Sequence, residues 1–360
     1  MEVLPGFSGS YDPADVTLLL RAIDVEVTPV HEKEANIQSG RRHYAQMVSH
    51  EREPDPAYLA IYEDAMERNL DRMARDTLVL ADQIRRAYRG TVTLVSLVRA
   101  GCPIGVLLRR ALLRSGVNVA HYGVSIVRGM GIDRVAMALI LAERPGASIV
   151  FVDGWTGKGT IAGQLKASLT GDLAGIAPRL AVLADPAGRA EFASSHDDWL
   201  IPSGIMGAIV SGLVSRTVVD DEAMRGRALH GCRFWEHLRG HDRTRGYVDA
   251  IDERMVSLDG AHEKAVVGSA AMAAASSRRV VEAVVARSGV DDVNRVKPGI
   301  AEATRAVLRR VPDHVFVRDL ADCDVCALVH LAAAAGVPVV EDPQLCGPYR
   351  AVTVIRKLSA

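Results

Sequence analysis

The stretch Ser148-Ile149-Val150-Phe151-Val152-Asp153-Gly154-Trp155-Thr156-Gly157-Lys158-Gly159-Thr160 decides how the chain is expected to fold. Its first five residues predict a buried strand of the kind found in parallel sheets that are covered on both faces. The strand ends at Asp153, a turn with three glycines follows, and residues 161–165 begin a helical pattern. Such a turn presents backbone N–H groups and a positive helix end to an anion. The stretch therefore predicts a phosphate-binding loop.

The order of the loop residues favours one kind of phosphate loop over another. The Walker A loop has the pattern G-x-x-x-x-G-K-[ST]. Here Gly154 and Gly157 are three residues apart and Lys158 is followed by Gly159, so a kinase or ATPase is the weaker alternative. A tight turn without a ligand is another alternative, although three glycines, two threonines and a lysine are more than a connection needs.

The composition limits the class of protein. The chain has 360 residues, which predicts two or three units, and 49% of them are hydrophobic, enough for a large core. A formal net charge of −1 argues against a globally basic nucleic-acid-binding protein. No apolar run reaches the roughly 20 residues that span a bilayer, and the first residues do not have a signal-peptide pattern. No membrane contact is therefore expected. Five cysteines without dense spacing indicate reduced thiols in a cytoplasmic protein.

Changes in residue pattern divide the chain into four expected segments. These are an N-terminal arm over residues 1–56, a main domain over 57–254, a helical connector over 255–290 and a C-terminal unit over 291–360. Within the polar arm, Asp12 is expected to cap a short helix that continues through Leu20. Because long structured loops often carry function, the arm is expected to act as a lid or as a subunit contact in a homo-oligomer.

Strand and helix patterns alternate in the main domain. Residues 91–97 predict a strand, 107–115 a helix, 117–126 a strand and 133–142 a helix, ahead of the strand at 148–152. This alternation predicts an α/β fold with a doubly wound parallel sheet, in which ligands bind at the carboxyl ends of the strands. The segment after 291 predicts a small α/β sandwich.

The turn Arg99-Ala100-Gly101 predicts a second anion site at the same edge of the sheet. Arginine offers a fixed fork of donors that suits diphosphate oxygens, and Gly101 lets backbone N–H groups point inward. An ordinary turn with a solvated arginine is the alternative. Together with the loop from Thr156 to Thr160, this turn would hold the opposite ends of a diphosphate sugar.

Three side chains are candidates for a lid or for contacts to a planar base: His121, Arg128 and Trp199. A solvated loop explains the first two equally well, and a packing role explains Trp199. No spacing among the histidines and the cysteine between residues 230 and 241 indicates a metal site, so the metal ligands are unknown.

These motifs together resemble the bacterial phosphoribosyltransferase-like proteins of tellurite-resistance and stress-response gene clusters, some of which are named cysteine protease StiP. The resemblance covers about residues 6–252 and depends on Ser8–Tyr11, Ile37–Gly40, Ser96–Ile104, His121-Tyr122, Phe151–Thr160, Leu200–Ser203 and Val210–Thr217. The pattern Thr-Gly-x-x-Thr after Asp153 resembles the phosphoribosyl-diphosphate loop of type I phosphoribosyltransferases. Gly154 stands where that family usually has a second acid.

The resemblance implies a type I phosphoribosyltransferase-like fold and transfer of a phosphoribosyl group, with Mg²⁺, to an unknown acceptor base in the synthesis of a nucleoside-like stress metabolite. Residues Thr156, Gly157, Lys158, Gly159 and Thr160 would bind the 5′-phosphate of phosphoribosyl diphosphate. Arg99 and Asp153 would be the catalytic residues. The turn at residues 99–101 would bind the diphosphate, and Asp153 would hold the ribose hydroxyls and stabilise the positive charge that develops on the ribose ring. Mg²⁺ would be bound mainly by phosphate and hydroxyl oxygens and water. A non-catalytic regulator that senses a phosphoribosyl metabolite or RNA is the alternative.

Residues 296–356 resemble a Pelota or L7Ae-like RNA-binding domain. Lys297, Gly299, Glu302 and Arg305 match the glycine-led helix that contacts RNA in that family. RNA is therefore an expected partner of the C-terminal unit.

The protease name raises a rival hypothesis. A cysteine protease needs a thiolate paired with a histidine. Cys102 follows a strand and precedes a helix, but it lies in the diphosphate-type turn and no histidine can be assigned to it, so we interpret it as a small turn residue. Cys323 and Cys326 are expected to be an inert pair.

Overall fold

A six-stranded parallel sheet forms the centre of the computed structural model, which describes residues 6–88, 90–258 and 268–358. Its strands are Thr17–Leu18 (β1), Thr91–Leu97 (β2), Asn118–Val124 (β3), Ile149–Val152 (β4), Leu180–Ala184 (β5) and Phe192–Ser195 (β6). Their order across the sheet is β1-β3-β2-β4-β5-β6, and every neighbouring pair is parallel. The predicted α/β fold with a parallel sheet is confirmed.

The helices before residue 259 are Val30–Gln38 (α1), Pro56–Ala87 (α2), Gly101–Arg114 (α3), Arg134–Glu143 (α4), Thr160–Ser168 (α5), Asp221–Met224 (α6) and Thr244–Leu258 (α7). Helices α2 and α3 cover one face of this sheet, and α4 and α5 cover the other. Successive residues of β4 alternate between two cores: Val150 packs with residues of α2 and α3, and Phe151 packs with residues of α4 and α5. Because both faces are covered, β4 consists entirely of buried apolar residues.

Two helices begin where the sequence gives a local reason. Asp55 caps α2, since its Oδ1 accepts a hydrogen bond of 2.8 Å from the Tyr58 N–H, and Pro56 occupies the first helical position. Helix α3 begins at Gly101, earlier than the predicted residue 107. Pro103 lies in its first turn, where no backbone N–H is needed. The predicted turn after β2 is therefore short.

The N-terminal arm differs from its prediction. The helix expected through Leu20 is wrong, because Thr17–Leu18 pairs with β3 as the edge strand of the main sheet, with Leu18 opposite Gly123. Two small sheets complete the domain: Arg21–Ala22 pairs with Gly231–Cys232, and Ile126–Val127 pairs with Gly131–Ile132. Tertiary pairing with a distant strand overrides the local capping pattern at Asp12.

The C-terminal unit has a mixed four-stranded sheet. Its strands are Val296–Pro298 (β7), Pro312–Val317 (β8), Val339–Glu341 (β9) and Ala351–Ile355 (β10), and its helices are Ala270–Ser288 (α8), Ile300–Arg309 (α9), Cys326–Ala334 (α10) and Pro343–Cys346 (α11). The order is β7-β10-β8-β9, with β8 and β9 parallel and the other pairs antiparallel. Residues 261–267 of the long helix predicted over 261–286 lie outside the described residues. Across the described ranges, no helix is both long and apolar enough to cross a membrane.

Candidate functional site: a basic cleft between two units

A cleft of about 310 Å³ lies between the loop after β4 and helix α9 of the C-terminal unit. We call it the basic cleft, since its lining includes eight basic residues, Lys33, Arg128, Lys158, Arg216, Lys297, Arg305, Arg309 and Arg310, and the acids Asp153 and Glu302. The chain has only six lysines, and three of them line this one cleft. The cleft therefore concentrates positive charge in a chain whose net charge is close to zero.

The glycine loop forms one wall of the cleft. Gly159 has a φ of +83°, in the left-handed region that favours glycine, and directly precedes α5. The first N–H groups of α5 have no partner within the helix, and residues 157–162 line the cleft. The Thr156 hydroxyl is directed elsewhere, since it donates a hydrogen bond of 2.5 Å to the buried Asp185. Thr156 therefore holds the loop in shape.

Lys158 reaches across the cleft to the C-terminal unit. Its ammonium group donates hydrogen bonds to the carbonyl oxygens of Val293 and, at 2.9 Å, Val296. Burial, reinforced by the positive charge of Lys297, lowers the pKa of Lys158 to about 7. Lys158 therefore links the loop to the C-terminal unit through two backbone carbonyl groups. It has no salt bridge to an acidic side chain in the described part of the chain.

Helix α9 forms the opposite wall. Arg305 and Arg309 lie one turn apart on this helix, and the Arg305 guanidinium stacks over the Trp155 ring at 4.6 Å from its centroid. Among the described residues, the Nε atom of Arg305 and the Nη2 atom of Arg309 are buried without a hydrogen-bond partner. Burial, with the neighbouring charge of Arg99, lowers the pKa of Arg305 to about 10 and that of Arg309 well below its usual range.

Most of the positive charge in the cleft is not neutralised. In the described ranges, Arg310 is the one cleft residue with a salt bridge, a pair with the fully buried Glu34. The acid Asp153 compensates only in part at neutral pH, because burial raises the pKa of its carboxyl to about 7, despite the hydrogen bond of 2.8 Å that it accepts from the Gly154 N–H. Such a cleft attracts a small anion that carries several charges.

Arg99 does not line the cleft. Its Nη2 donates to Glu51 Oε1 at 2.6 Å and its Nη1 to the Val214 carbonyl at 2.5 Å, and its side chain is 2% exposed. Gly101 serves packing, since a Cβ atom there would lie 2.1 Å from the carbonyl oxygen of Val152. Ala100 lies between them and is also absent from the lining residues. The turn at residues 99–101 therefore packs against the end of β4 and the start of the glycine loop, but its residues do not open into the cleft.

The remaining predicted residues are divided between the cleft and the core. His121 is buried, with its ring nitrogens 2.7 Å from Ser96 Oγ and 2.9 Å from the Asp15 carbonyl, and burial lowers its pKa to about 4. Trp199 is buried beneath the Arg72 guanidinium and packs in the core. Arg128 lines the cleft and donates to Asn294 Oδ1 at 3.0 Å.

The residues expected to contact RNA face the same cleft. Lys297, Glu302 and Arg305 line it, and Gly299 precedes α9 with a φ of +94°. Sequence reasoning missed four cleft residues: Lys33, Arg216, Arg309 and Arg310. The one usable signal was the scarcity of lysine, which makes Lys33 unusual within the arm.

Comparison with known proteins identifies the family. The chain is 42% identical over 365 residues to "Cysteine protease StiP" of Acinetobacter baylyi (strain ATCC 33305 / BD413 / ADP1), an alignment that covers 98% of this chain and 95% of the relative. The model of the family described as "Tellurite-like stress resistance cysteine protease StiP" matches residues 9–252. The chain belongs to the StiP family. A second model, "PELOTA RNA binding domain", matches residues 275–357, so both resemblances seen in the sequence are confirmed.

Solved structures similar to this StiP-family chain include two phosphoribosyltransferases. The hypoxanthine phosphoribosyltransferase of Trypanosoma cruzi is 14% identical with a TM-score of 0.27, over 37% of this chain and 82% of that one. HGPRT-ase from Leishmania tarentolae in complex with GMP is also 14% identical with a TM-score of 0.27, over 36% and 76%. A hypothetical protein from Neisseria gonorrhoeae with bound ppGpp is 18% identical with a TM-score of 0.24, over 34% and 77%. TM-scores this low support no conclusion about activity.

The predicted phosphoribosyl transfer is wrong. The relative that matches nearly the whole StiP-family chain is named a cysteine protease, and the description of the family names the same kind of enzyme and a role in stress resistance. The likeness to phosphoribosyltransferases is too weak to stand against that name. The catalytic roles assigned to Asp153 and Arg99 lose their basis with the reaction.

Proposed function

We propose that this chain binds a small, multiply charged anion in the basic cleft. The observation that supports the proposal best is the set of eight basic side chains around about 310 Å³, of which one has an acidic partner in the described ranges. Lys33 is buried and the other seven side chains are half-buried. A fully buried charge without a partner costs several kcal/mol, roughly, after relaxation of the protein, and a half-buried one costs less. A ligand that carries the missing negative charge would recover this cost.

The donors favour a ligand with phosphate groups. Arginine forks suit phosphate oxygens, and the free N–H groups at the start of α5 suit an anion. The cleft volume lies within the range of roughly 300–1,000 Å³ that is typical of small-molecule sites. Tyr44 and Trp155 add aromatic surface for a sugar or planar ring. Phosphoribosyl diphosphate is one member of this class, and inorganic pyrophosphate is the simplest probe.

Magnesium would reach the cleft on the ligand. The carboxylates in the lining are Asp153 and Glu302, and no group of three or more metal-binding side chains occurs in the part of the chain that the structure describes. These residues do not fit a resident metal ion. Phosphate oxygens and water are the ligands that Mg²⁺ commonly keeps in such complexes.

Titration calorimetry tests the anion site directly. The wild-type chain is expected to bind pyrophosphate and phosphoribosyl diphosphate, and Arg305→Met is expected to weaken binding about tenfold to a hundredfold, because a hydrogen bond to a charged group contributes about 1.5–3 kcal/mol. Arg239→Met is the control, since Arg239 pairs with Glu236 on the exposed surface. Absence of binding by pyrophosphate, phosphoribosyl diphosphate and ATP alike would refute the proposal.

A second candidate function is cysteine protease activity, which the name of the 42% identical relative favours. Cys102, Cys232 and Cys346 are buried, and burial raises the pKa of each thiol, which opposes formation of a nucleophilic thiolate. The exposed thiols are Cys323 and Cys326. A thiol protease would therefore have to use one of this pair.

Cys326 has the better surroundings for that role. It is the first residue of α10, His330 follows one helical turn later, and His330 Nε2 lies 3.6 Å from Asp55 Oδ2. Partial burial and the adjacent Cys323 raise the pKa of the Cys326 thiol, so His330 would have to supply the activation by taking its proton. A cytoplasmic location, where thiols stay reduced, would preserve it.

A peptidase assay on unfolded casein tests this candidate. Activity is expected to be lost in Cys326→Ser and retained in Cys102→Ser and Cys323→Ser, and iodoacetamide should inactivate the wild-type chain by modifying Cys326. Absence of activity in the wild-type chain, or full activity of Cys326→Ser, would count against this assignment.

A further inference from the structure

The helix that matches an RNA-binding family is turned towards the interior of this chain. Lys297 and Arg305 line the basic cleft, and the glycine loop packs directly on α9. A Cβ atom at Gly157 would lie 2.8 Å from Cγ of Glu302 and 3.1 Å from the Pro298 carbonyl oxygen. The resemblance implies that the start of α9 contacts RNA, and in this arrangement the glycine loop covers that part of the helix at Glu302.

A buried carboxylate holds the C-terminal unit in that position. Both oxygens of Asp198, in the main domain, accept hydrogen bonds of 3.0 Å from the Ile300 N–H at the start of α9, and Oδ2 also accepts one of 2.7 Å from the Arg350 N–H. The Tyr349 hydroxyl donates to the Gly157 carbonyl at 2.7 Å. These contacts tie the C-terminal unit both to the main domain and to the glycine loop.

The same contact brings like charges together. The main domain contributes Lys33, Arg128, Lys158 and Arg216 to the cleft, and the C-terminal unit contributes Lys297, Arg305, Arg309 and Arg310. Arg310 is paired with Glu34 of the main domain, which favours docking. The other seven basic groups have no salt-bridge partner in the described ranges, and to the extent that they are charged their repulsion opposes docking while the cleft holds no anion. An anion between the two sets attracts both and reverses the sign of this contribution.

We propose that docking of the C-terminal unit over the cleft depends on the bound anion. Anion binding stabilises the docked position of α9, and docking in turn strengthens anion binding. The docked state prevents α9 from binding RNA. This inference rests on the proposed anion-binding function. Its physical basis is linkage: a ligand that contacts both units binds the docked state more tightly and so raises the population of that state.

Amide hydrogen exchange and calorimetry on the full chain, with pyrophosphate as the probe, test the coupling. Pyrophosphate is expected to slow exchange in α9 and in residues 157–162. Asp198→Ala keeps all eight cleft cations but removes the carboxylate that accepts from the start of α9, while the Glu34–Arg310 pair, the Asp197–Arg350 pair and the apolar core shared by the two units remain. We therefore expect faster exchange in α9 and an affinity for pyrophosphate about tenfold lower, a loss of about 1.4 kcal/mol. Tyr349→Phe, a milder change that removes one hydroxyl, should reduce affinity two- to fivefold.

Asp71→Ala is the matched control, because Asp71 pairs with Arg254 of α7 and neither residue lines the cleft, so the affinity of this variant should equal that of the wild type. If the wild-type chain does not bind pyrophosphate, the anion site itself is refuted. If it binds and both Asp198→Ala and Tyr349→Phe keep full affinity, the anion site stands and the coupling is overturned.

RNA provides the second readout. A single-stranded RNA oligonucleotide should bind Asp198→Ala more tightly than the wild type, and pyrophosphate should displace it. RNA that binds the wild-type chain and stays bound in excess pyrophosphate would overturn the closed-helix interpretation.

Discussion

Two turns at the carboxyl edge of one sheet look alike in sequence and differ in the folded chain. The turn after β2 carries Arg99, which is bonded to Glu51 and to a backbone carbonyl, whereas the loop after β4 faces Arg305 and Arg309, which have no acidic partner in the described ranges. A basic residue in such a turn therefore indicates a ligand site only where the fold places no acidic side chain beside it. Arg99 is a structural cation, and the cleft arginines are candidates for ligand binding.

The largest expected effect on stability comes from removing the acidic partner of Arg99. Glu51→Gln should lower the free energy of unfolding by about 3 kcal/mol, because removal of one partner leaves the Arg99 guanidinium charged and enclosed. Urea unfolding measures this loss. Glu53→Gln, which alters an exposed carboxylate near His241, is the control and should leave stability unchanged. Equal stability of both variants would show that the Arg99–Glu51 pair is not structural.

The second prediction is that removing a cleft arginine stabilises the ligand-free chain, whereas removing Arg99 destabilises it. Arg309→Met should raise the free energy of unfolding of the ligand-free chain by about 1–2 kcal/mol, since Arg309 is half-buried without a salt-bridge partner in the described ranges, and an apolar side chain of similar length removes its desolvation cost. Arg99→Met should lower it instead, because Glu51 is left without its partner. Urea unfolding of both variants without ligand checks the contrast, and a shift of the same sign in both would remove the distinction between the turns.

The part of the fold that depends on local pattern could be predicted. Strands β2, β3 and β4 follow from short runs rich in apolar residues, and the glycine loop follows from one stretch of thirteen residues. The edge strand β1 could not be predicted, because its identity depends on pairing with β3, far along the chain. A short sequence pattern indicates which secondary structure a segment prefers, but it does not indicate which distant strand the segment will pair with.

The site shows the same limit. Lys33, Arg216 and Arg309 come from three distant segments, and only the tertiary fold brings their charges to one cleft. The role of Arg99 was misjudged for the matching reason: its partner Glu51 lies in the N-terminal arm, outside any motif around the turn. Sequence reasoning found the wall made by the glycine loop and missed most of the charge opposite to it.

The third prediction concerns pH and should change affinity by about tenfold. Burial lowers the pKa of Lys33 and Lys158 to about 7 and that of Lys297 to about 8, so these groups lose their positive charge as the pH rises through those values. Burial raises the pKa of Asp153 to about 7, so this carboxyl gains negative charge over the same range. Both changes weaken anion binding between pH 6.5 and pH 8.5.

Calorimetry with pyrophosphate across that range measures the effect. Lys297→Met is the matched control, because titration of the ligand itself is the same for both proteins and only the contribution of one lysine is removed. Its pH dependence should be shallower than that of the wild type. Identical slopes would show that the cleft lysine does not titrate with binding.

The smallest expected effect comes from replacing a glycine of the loop itself. Gly159→Ala should cost about 1 kcal/mol, because φ is +83° and L-residues are strained in the left-handed region. The added Cβ atom would also lie 2.6 Å from Cγ of Arg189. Gly163→Ala, four residues later in α5, meets no atom within 4 Å outside its own helix and should stabilise the chain by about 0.5–1 kcal/mol.

Urea unfolding should give changes of opposite sign in the free energy of unfolding for the two alanine variants. Pyrophosphate affinity should fall only for Gly159→Ala, since only that change moves the N–H groups that face the cleft, and equal loss of affinity in both variants would mean that the loop does not hold the anion.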